Sequence, residues 1–404
     1  MIQRLASRPP GLRPARRCHR LTFVFTLSLP TLPSDRSINA LRPSLALEVR
    51  DLSVRLAAPD GPLDVLNGLG FELAPGEIGS LLGASGCGKT TALRAIAGFV
   101  QPSKGQIVIG GRIMAEPGRS TAPEHRGVGV VFQDYALFPH LTIARNVGFG
   151  LRTESQSARE HRVAQLLEMV GLGPWADRFP HELSGGQQQR AALARALAPA
   201  PSVLLLDEPF SNLDPDLREQ LALDLRDLLK AQGTTALLVT HDQYEAFAMA
   251  DSIGVMEAGR IAQWDDAWRL YHQPSSRSVA DFVGLGVFMD GRLGQQGDQL
   301  SIAFELGSLP IHDPADAQQA RHCADAEGRL QVLLRPDDVE HDDASPVQAR
   351  VLRRAFRGAQ FLYTLELPSG QKLLALVPSH HDHRIGDPIG IRFTADHIVT
   401  FAHS

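Results

Sequence analysis

Hydrophobic and polar residues alternate one by one where the patterned part of the chain begins, near Leu45. Residues 46–50 and 52–56 alternate in this way, as is typical of half-buried strands, and turn residues follow at 59–62. Residues 203–206 instead form an unbroken apolar run, which is typical of a parallel strand buried on both faces. The pattern therefore predicts a sheet edge near Leu45 and a buried parallel sheet further along the chain.

Helical spacing of apolar residues is found between the predicted strands. A strand over 77–82 leads through a glycine-rich turn into a helix from Thr90 to Phe99. Asp214 and Pro215, a cap and a first-turn proline, predict a second helix that ends at Gly233, and a strand is expected over 235–239. The leucines on the inward face of that helix are Leu217, Leu221, Leu225, Leu228 and Leu229. Helices that alternate with buried strands indicate an α/β fold.

Two changes of pattern divide the chain into domains. Residues from 134 to about 190 are mainly helical, with an amphipathic stretch over 159–170 that ends at Gly171, which predicts an inserted helical subdomain. We therefore predict a disordered basic extension over 1–44, an α/β domain over 45–284 and a small all-β domain, a barrel or sandwich, over 285–404. The short strands of the last domain are expected at 300–306, 330–334, 347–352, 361–367, 372–377 and 388–393.

The composition is that of a globular protein, but the charge is segregated. The chain has 404 residues, 43% of them hydrophobic and 21% charged, which is enough for two or three domains. Residues 1–46 hold eight Arg and one Asp, a balance of +7, so with a total of −5 the rest of the chain carries −12. An acidic body offers no general attraction for nucleic acid.

The basic extension contains the apolar stretch 21–29, which resembles a short signal peptide. The alternative that we favour is an unstructured extension or a start codon placed too far upstream, because periodic structure begins only near Leu45. No window holds 18 apolar residues, so nothing in the chain is expected to span a bilayer by itself. The three cysteines, Cys18, Cys87 and Cys323, are too few and too dispersed for a disulfide framework, which fits a reducing compartment.

A phosphate-binding loop is the strongest chemical signal in the sequence. Residues 83–90, Gly-Ala-Ser-Gly-Cys-Gly-Lys-Thr, match the pattern G-x-x-x-x-G-K-[ST]. Glycines let successive backbone N–H groups converge on phosphate oxygens, while Lys89 is placed for the β- and γ-phosphates and the Thr90 hydroxyl for Mg²⁺. The candidate ATP-binding residues of this loop are Gly83, Ala84, Ser85, Gly86, Cys87, Gly88, Lys89, Thr90 and Thr91.

A pair of acidic residues ends the predicted strand at 203–206. A carboxylate at the end of a buried strand is costly unless it is hydrogen-bonded or close to a cation, so Asp207 fits a role as a Mg²⁺ ligand. Glu208 is then the candidate general base for the water that attacks ATP. An Asp-Glu pair alone is more often a cap or a turn, and the preceding phosphate loop is what favours the catalytic interpretation.

A third motif, Leu-Ser-Gly-Gly-Gln at 183–187, lies between the first two. With it, the chain resembles the ATP-binding-cassette (ABC) ATPase family, for which this sequence is the signature. Two glycines at a helix start can offer backbone donors to a phosphate. The resemblance implies that Ser184, Gly185, Gly186 and Gln187 contact the ATP of a partner subunit, so that a second copy of the chain and two ATP molecules form a sandwich dimer.

Other landmarks of the family occur in the expected order. Gln133 resembles the glutamine that contacts Mg²⁺ and the reactive water and couples the ATP site to the helical subdomain. Asp214, in Ser-Asn-Leu-Asp at 211–214, resembles the loop that crosses the dimer interface. His241 resembles the switch histidine that senses the γ-phosphate. The resemblance therefore implies Glu208, His241 and Gln133 as catalytic residues, and Thr90, Gln133 and Asp207 as the Mg²⁺ site.

Two features of the nucleotide site are less regular. The family usually stacks adenine on an aromatic residue about 25 positions before the phosphate loop, but residues 49–70 contain no Phe, Tyr, Trp or His. Leu56 or Val54 would give only apolar contact. Cys87 inside the loop is either an oxidisable thiol, activated by the converging N–H groups, or an inert small residue, which is the interpretation we favour.

The resemblance covers residues 46–404 and, within the family, is greatest to ferric-iron importer ATPases with a C-terminal oligonucleotide-fold-like (TOBE) domain. The segments that carry it there are 334–339, 356–358 and 378–383. His380, His381 and His383 in the last segment are either a metal site or, as we favour, solvated turn residues. Nothing in an ATPase subunit is obliged to contact the cargo, so polyamine, phosphonate and sulfate stay open beside iron.

We therefore expect the ATPase subunit of an importer at the cytoplasmic face of the membrane. It requires integral-membrane permease subunits and, indirectly, a periplasmic or extracellular binding protein, and no nucleic acid. The alternative is a soluble ABC ATPase that acts on DNA or ribosomes, but such proteins usually carry a coiled coil, a zinc module or a second cassette, and the sequence has none of these features. A purely regulatory nucleotide-binding module is disfavoured because Glu208 and His241 are both present.

Overall fold

The computed structural model describes residues 45–57, 59, 61–211, 215–296, 299–394 and 398–403. The predicted basic extension over 1–44 lies outside these residues. So does the predicted interface residue Asp214. Among the described residues, no helix is both long enough and apolar enough to cross a membrane.

The first part of the chain alternates strands and helices. Its elements are β1 Leu47–Leu56, β2 Leu63–Leu73, β3 Ile78–Gly83, α1 Lys89–Ala97, β4 Lys104–Ile109, β5 Arg112–Glu116, β6 Arg119–Ser120, β7 Val128–Val131, α2 Ile143–Val147, α3 Gln156–Met169, α4 Gly185–Leu197, β8 Val203–Asp207, α5 Pro215–Ala231, β9 Ala236–Thr240, α6 Gln243–Met249, β10 Ser252–Glu257, β11 Arg260–Asp265, α7 Ala267–His272 and α8 Arg277–Val283. Short 3₁₀ turns connect them at Pro123–His125, Gly148–Gly150, Gly173–Trp175 and Pro180–Glu182.

The second part consists almost entirely of strands. Its elements are β12 Val287–Gln296, β13 Gln299–Phe304, β14 Gly307–Pro310, α9 Pro314–Cys323, β15 Arg329–Leu334, β16 Val339–His341, β17 Gln348–Phe356, β18 Gln360–Glu366, β19 Lys372–Pro378, β20 Pro388–Phe393 and β21 Val399–Ala402, with a 3₁₀ turn at Pro336–Asp338. Each short strand expected from the sequence here overlaps one of these strands.

A six-stranded sheet forms the centre of the first part, in the order β11-β10-β3-β9-β8-β7. Neighbouring strands from β10 to β7 are parallel. Every residue of β3, β8 and β9 is buried, which explains why their sequences are apolar runs rather than alternating patterns. A second sheet, antiparallel, has the order β2-β1-β4-β5-β6 and packs its apolar face on α1.

The helical insertion lies between β7 and β8 and shares a core with the central sheet. Each of its helices begins at a hydroxyl cap: Thr142 for α2, Ser155 for α3 and Ser184 for α4. Because Ser155 caps α3, that helix begins at Gln156, three residues before the amphipathic stretch predicted from the sequence. Gly171, at φ 67°, follows the helix end as expected.

Two antiparallel sheets enclose the core of the second part. Their orders are β14-β13-β12-β15-β21 and β16-β20-β17-β18-β19. Inward-facing residues of both sheets, including Val332, Val351 and Tyr363, form one hydrophobic cluster. This is the small all-β fold that the closely spaced short strands predict.

Arg335 joins the second part of the chain to the first through hydrogen bonds. Its side chain is buried, and its guanidinium donates hydrogen bonds to the carbonyl oxygens of Tyr271, Ala280, Gly284 and Leu285 at 2.8–3.3 Å. The guanidinium carbon also lies 4.4 Å from the ring centre of Tyr271. That tyrosine donates in turn to Asp337 across 2.8 Å. Arg335 thus satisfies carbonyl groups where α7 and α8 end.

Substitution of Arg335 by Leu is expected to lower the free energy of unfolding by about 2–5 kcal/mol, because several buried carbonyl groups lose their donor. Denaturant unfolding followed by fluorescence measures this change. The control is Arg329→Leu, since Arg329 is exposed and pairs only at the surface with Asp325 and Glu327. That variant should lose less than about 1 kcal/mol. Equal losses in the two variants would contradict this role of Arg335.

Candidate functional site

The predicted phosphate-binding, Mg²⁺-binding and catalytic residues lie at one edge of the central sheet. The strands β3, β9, β8 and β7 are parallel neighbours, so their carboxyl ends lie side by side. The phosphate loop follows β3, His241 follows β9, Asp207 and Glu208 stand at the end of β8, and Gln133 follows β7. Ligands of open α/β sheets bind at this edge.

Glycines shape the phosphate loop. Gly86 and Gly88 have φ of 85° and 108°, which side chains rarely adopt. A Cβ on Gly88 would also lie 2.8 Å from the Leu66 side chain and 3.0 Å from the Val65 carbonyl oxygen. α1 begins directly after Gly88 without a side-chain cap. The backbone N–H groups of its first turn are therefore available to an anion.

Lys89 lies folded over the loop that precedes it. Its ammonium group donates to the carbonyl oxygens of Gly83 at 2.7 Å and Ala84 at 3.0 Å, and the side chain is buried. The Cys87 sulfur, a half-buried free thiol, is 3.9 Å from the same nitrogen. These contacts hold a positive charge where phosphate oxygens would enter.

Thr90 and Asp207 form the core of a candidate Mg²⁺ site. The Thr90 hydroxyl donates to an Asp207 carboxylate oxygen across 3.3 Å, which places the second residue of α1 against the end of β8. Burial raises the pKa of the Asp207 carboxyl, although the Thr90 hydrogen bond and nearby Arg94 and Lys89 act in the opposite direction. A buried carboxylate beside a hydroxyl suits an oxygen-seeking cation, which would stabilise the charged form.

Asp207→Asn should stabilise the ligand-free protein while destroying Mg²⁺-dependent hydrolysis. Because the pKa of Asp207 is higher in the folded chain than in the unfolded chain, the folded chain binds more protons between these two pKa values. The free energy of unfolding of the wild type therefore falls as the pH rises from the unfolded-state pKa through the folded-state pKa. The variant is expected to melt at a higher temperature than wild type at pH 8, with a smaller difference at lower pH. Hydrolysis should fall by at least about a hundredfold, equivalent to a few kcal/mol.

Thermal melting at a series of pH values, together with an ATPase assay, checks this expectation. Asp227→Asn, which changes an exposed aspartate on α5, is the matched control and should alter neither quantity. If Asp207→Asn melts below wild type at every pH, the Asp207 carboxylate stabilises the ligand-free fold, which contradicts this expectation.

Glu208 and His241 stand opposite each other at the same edge. A Glu208 carboxylate oxygen lies 3.2 Å from His241 Nδ1. The backbone of Glu208 adopts φ 44°, its N–H donates to the Val239 carbonyl at 2.9 Å, and its carbonyl accepts from the Ser211 hydroxyl at 3.0 Å. Strained backbone at a non-glycine residue is found mainly where function requires it. The fixed backbone presents the carboxylate toward the site.

A polar cluster behind His241 was not predicted from the sequence. Asp242 caps α6 by accepting from the N–H groups of Tyr244 and Glu245, while Thr240 donates to the buried Glu245 carboxylate at 2.5 Å. Arg218 from α5 pairs with both acidic residues, at 2.9 Å and 3.4 Å. The cluster fixes the backbone on both sides of His241. The spacing Asp242-x-x-Glu245, typical of a helix start, is the signal that indicates part of it.

Gln133 begins a segment that is tied to α4. It lies in an exposed turn just after β7, and the two residues at 135 and 136 have φ of 60° and 46°. Arg195 of α4 donates to the carbonyl oxygens of Tyr135 at 2.8 Å and Ala136 at 2.5 Å. Tyr135 is buried in the core shared with the helical insertion. The segment after Gln133 is therefore held by the helix that carries the signature.

The signature residues form the first turn of α4, so Gly185 and Gly186 lie at a helix start as expected. Ser184 is the cap: its hydroxyl accepts from the Gln187 N–H at 3.4 Å, and its own N–H donates to the Gln187 side chain at 2.9 Å. Gly185 and Gly186 follow within the turn. These hydrogen bonds join the signature residues to each other rather than to the phosphate loop of the same chain.

One candidate for adenine contact is wrong. Val54 is fully buried in the core, whereas Leu56 on the same strand is 37% exposed. Leu56 pairs across the strands with Leu63, which is 57% exposed. Val65 on that second strand contacts Gly88 of the phosphate loop. The exposed leucine pair, rather than Val54, supplies an apolar surface near the loop.

Comparisons with known proteins agree with these motifs. A family model described as ABC transporter matches residues 66–211, and one described as TOBE domain matches residues 332–401. The Fe(3+) ions import ATP-binding protein FbpC 2 of Rhodococcus jostii (strain RHA1) is 42% identical over 313 residues, which cover 77% of this chain and 85% of that protein.

A second relative has a different named cargo. The spermidine/putrescine import ATP-binding protein PotA of Rubrobacter xylanophilus is 39% identical over 362 residues, which cover 87% of this chain and 94% of that protein. A solved dimeric structure of a bacterial ABC transporter cassette has a TM-score of 0.49 and 29% identity, and covers 55% of this chain and 98% of that one.

Proposed function

The chain belongs to the ABC transporter family, as an importer ATPase with a C-terminal TOBE domain, and from this premise we propose that two copies of it sandwich ATP to power an importer of ferric iron. The family resemblance and the fold class predicted from the sequence are confirmed. The observation that carries the proposed chemistry is the convergence of the phosphate loop, Asp207, Glu208 and His241 on one sheet edge.

The positions of the side chains support ATP hydrolysis at this edge. The N–H groups of the first turn of α1 and the Lys89 ammonium bind the phosphates of ATP. Thr90, Asp207 and Gln133 would hold Mg²⁺, which supplies charge neutralisation on the phosphate oxygens. Glu208 orients water and accepts its proton, and His241, 3.2 Å from that carboxylate, is placed to respond to the γ-phosphate.

The signature implies a second copy of the chain. The first turn of α4 presents the N–H groups of Gly185 and Gly186 beside a self-contained Ser184–Gln187 cap. We propose that this helix start completes the ATP site of the partner subunit, where its dipole faces the γ-phosphate. Two identical chains related by a two-fold axis would then form two sites.

Ferric iron is the first candidate for the cargo, because the relative named for Fe(3+) has the higher identity of the two, 42% against 39%. A polyamine is the second candidate, since the spermidine/putrescine relative matches over more of both chains. The ATPase would act at the cytoplasmic face of the membrane. The cargo itself would be recognised by a separate binding protein.

Uptake assays in the source cells distinguish the two cargoes. Deletion of the gene is expected to abolish import of radiolabelled Fe³⁺, with restoration by the wild-type chain but not by Glu208→Gln. Import of labelled putrescine and spermidine should be unchanged in the same strains. Loss of polyamine import with intact iron import would replace the first candidate by the second, and would leave the ATPase chemistry as proposed.

A groove on the helical insertion is the proposed docking site for the permease. Its volume is about 650 Å³, and Phe149, Arg152, Val163 and Leu167 are among the residues that line it. Phe149 is 36% exposed, and its ring centre lies 4.3 Å from that of half-buried Phe138. The backbone at Phe138 is fixed separately by hydrogen bonds to the buried Asn146 side chain, at 2.8 and 3.1 Å. Aromatic anchors in such a groove typically supply much of the affinity for a partner helix.

Phe138→Ala removes the ring that packs against Phe149 of the groove. It should therefore weaken assembly with the permease by about thirtyfold or more, equivalent to about 2 kcal/mol, and reduce transport in proportion. Basal ATP hydrolysis by the isolated subunit should persist, since Asn146 still holds the backbone. Co-purification, transport and melting temperature are measured together, with Phe356→Ala as a control on a 67% exposed aromatic residue outside the groove. Parallel loss of transport, hydrolysis and stability would assign Phe138 to packing instead.

A further inference from the structure

Histidines from two separate segments converge on one side of the C-terminal domain. His341 at the end of β16 places its Nε2 3.2 Å from Nε2 of His383, which lies in the turn after β19. The same His341 nitrogen is 2.9 Å from a carboxylate oxygen of Asp343. Ligand atoms of these three residues all lie within 4.8 Å of one another. We propose that His341, Asp343 and His383 bind a divalent first-row transition metal ion.

Ordinary hydrogen bonding does not satisfy this arrangement. A ring nitrogen of histidine carries either one proton or one lone pair, directed in the ring plane. His341 Nε2 faces a carboxylate oxygen and another ring nitrogen at once, so a single proton can serve only one of them well. A cation between the three groups would accept a lone pair from each. The convergence is therefore that of a ligand set rather than of a hydrogen-bonded chain.

The turn that carries His383 is held by a buried phenol. Tyr363 is fully buried; its hydroxyl accepts from the His383 N–H at 3.0 Å and donates to the His381 carbonyl at 3.1 Å. Arg354 holds the same turn through Asp382 and through the His383 carbonyl at 3.3 Å. Ligand residues that are fixed in this way lose little freedom on binding an ion.

The other two ligands are also positioned by the chain. The His341 side chain is only 6% exposed, and its ring centre is 4.4 Å from that of His381 and 4.9 Å from that of His383. Asp342 shapes the turn beyond β16 by accepting from the Ala344 N–H at 3.0 Å. Asp343 is 82% exposed, which leaves the site open to ions from solvent.

The ligand types select the class of ion. Two imidazoles and a carboxylate suit Fe²⁺, Co²⁺, Ni²⁺ and Zn²⁺, whereas Mg²⁺ and Ca²⁺ prefer sites made only of oxygen atoms. Of the three histidines singled out in the sequence, only His383 belongs to the set. His380 is exposed, and His381 makes a tilted ring contact with His341. His341 comes from 42 residues before His383.

The site lies close to the junction between the C-terminal domain and the ATPase part of the chain. β16 directly follows the turn Pro336–Asp338, in which Asp337 accepts from Tyr271 of α7 at 2.8 Å. Arg335, just before that turn, is the buried residue that joins the two parts of the chain. An ion held by His341 and His383 would therefore tie the strand next to this junction to the turn after β19.

Cobalt titration of the untagged full chain tests the proposal without nucleotide, permease or cargo. Four-coordinate Co²⁺ gives visible absorption bands, and Zn²⁺ should displace it. We expect one Co²⁺ per chain, and at least about a hundredfold weaker binding after His383→Ala or Asp343→Asn. The second variant changes an exposed side chain, so it keeps the test valid if the first is unstable in EDTA.

His380→Ala is the matched control, since it removes a neighbouring exposed histidine that lies outside the ligand set. It should bind Co²⁺ as wild type does. The proposal is overturned if wild type takes up no Co²⁺, if His383→Ala and Asp343→Asn bind like wild type, or if His380→Ala loses as much affinity as they do. None of these outcomes depends on whether the chain imports iron or polyamines.

Discussion

Lys89→Ala is expected to weaken ATP binding by about a hundredfold or more while the chain stays folded. Lys89 is the buried cation of the phosphate loop, and its ammonium already occupies a position between the Gly83 and Ala84 carbonyl groups. A hydrogen bond to a charged group contributes about 1.5–3 kcal/mol, so losing two such bonds to phosphate corresponds to at least that factor in Kd.

Equilibrium binding of a fluorescent ATP analogue measures this effect. Lys372→Ala, which removes an exposed lysine at the start of β19, is the control and should bind as wild type does. Near-normal affinity of the Lys89→Ala chain would mean that the loop between β3 and α1 does not hold the phosphates.

Glu208→Gln is expected to leave ATP affinity within a few-fold of wild type and to slow hydrolysis by about 10²–10⁴-fold. Glutamine keeps the shape of the side chain and can still contact His241, but it cannot accept the proton of the attacking water. The strained backbone at this position is retained, because its hydrogen bonds to Val239 and Ser211 involve only main-chain atoms of residue 208.

Single-turnover hydrolysis with a parallel binding measurement separates these two effects. Glu219→Gln, an exposed glutamate on α5, is the control and should hydrolyse ATP normally. Wild-type turnover in the Glu208→Gln chain would show that a group other than Glu208 acts as the base.

The ATP site could be predicted from the sequence because its chemistry depends on short, contiguous motifs. A glycine-rich loop fixes its own backbone, and a carboxylate at the end of an apolar run is forced to the end of a buried strand. The order of β3, β9, β8 and β7 then places motifs that are far apart in sequence at one edge. The start of α4 is also encoded locally, because Ser184 and Gln187 of the signature cap each other.

Other parts of the molecule depend on contacts that no local pattern encodes. Arg195, on α4, donates to the carbonyl groups of Tyr135 and Ala136, which lie about 60 residues earlier in the chain. Arg335, in the second part of the chain, donates to carbonyl groups of the first part. His341 joins His383 only because β16 and β19, which lie at opposite ends of the strand order, contact each other in the fold. Such partners become visible only when the tertiary structure is known.

The mass of the Glu208→Gln chain in solution tests most directly whether two chains share their ATP sites. Light scattering with ATP and Mg²⁺ should give twice the 43.9 kDa of one chain, because hydrolysis no longer releases the partner. With ADP and Mg²⁺ the same protein should give 43.9 kDa. A single-chain mass with ATP, or a mass that does not depend on the nucleotide, would contradict the proposal that the signature of one chain completes the site of the other.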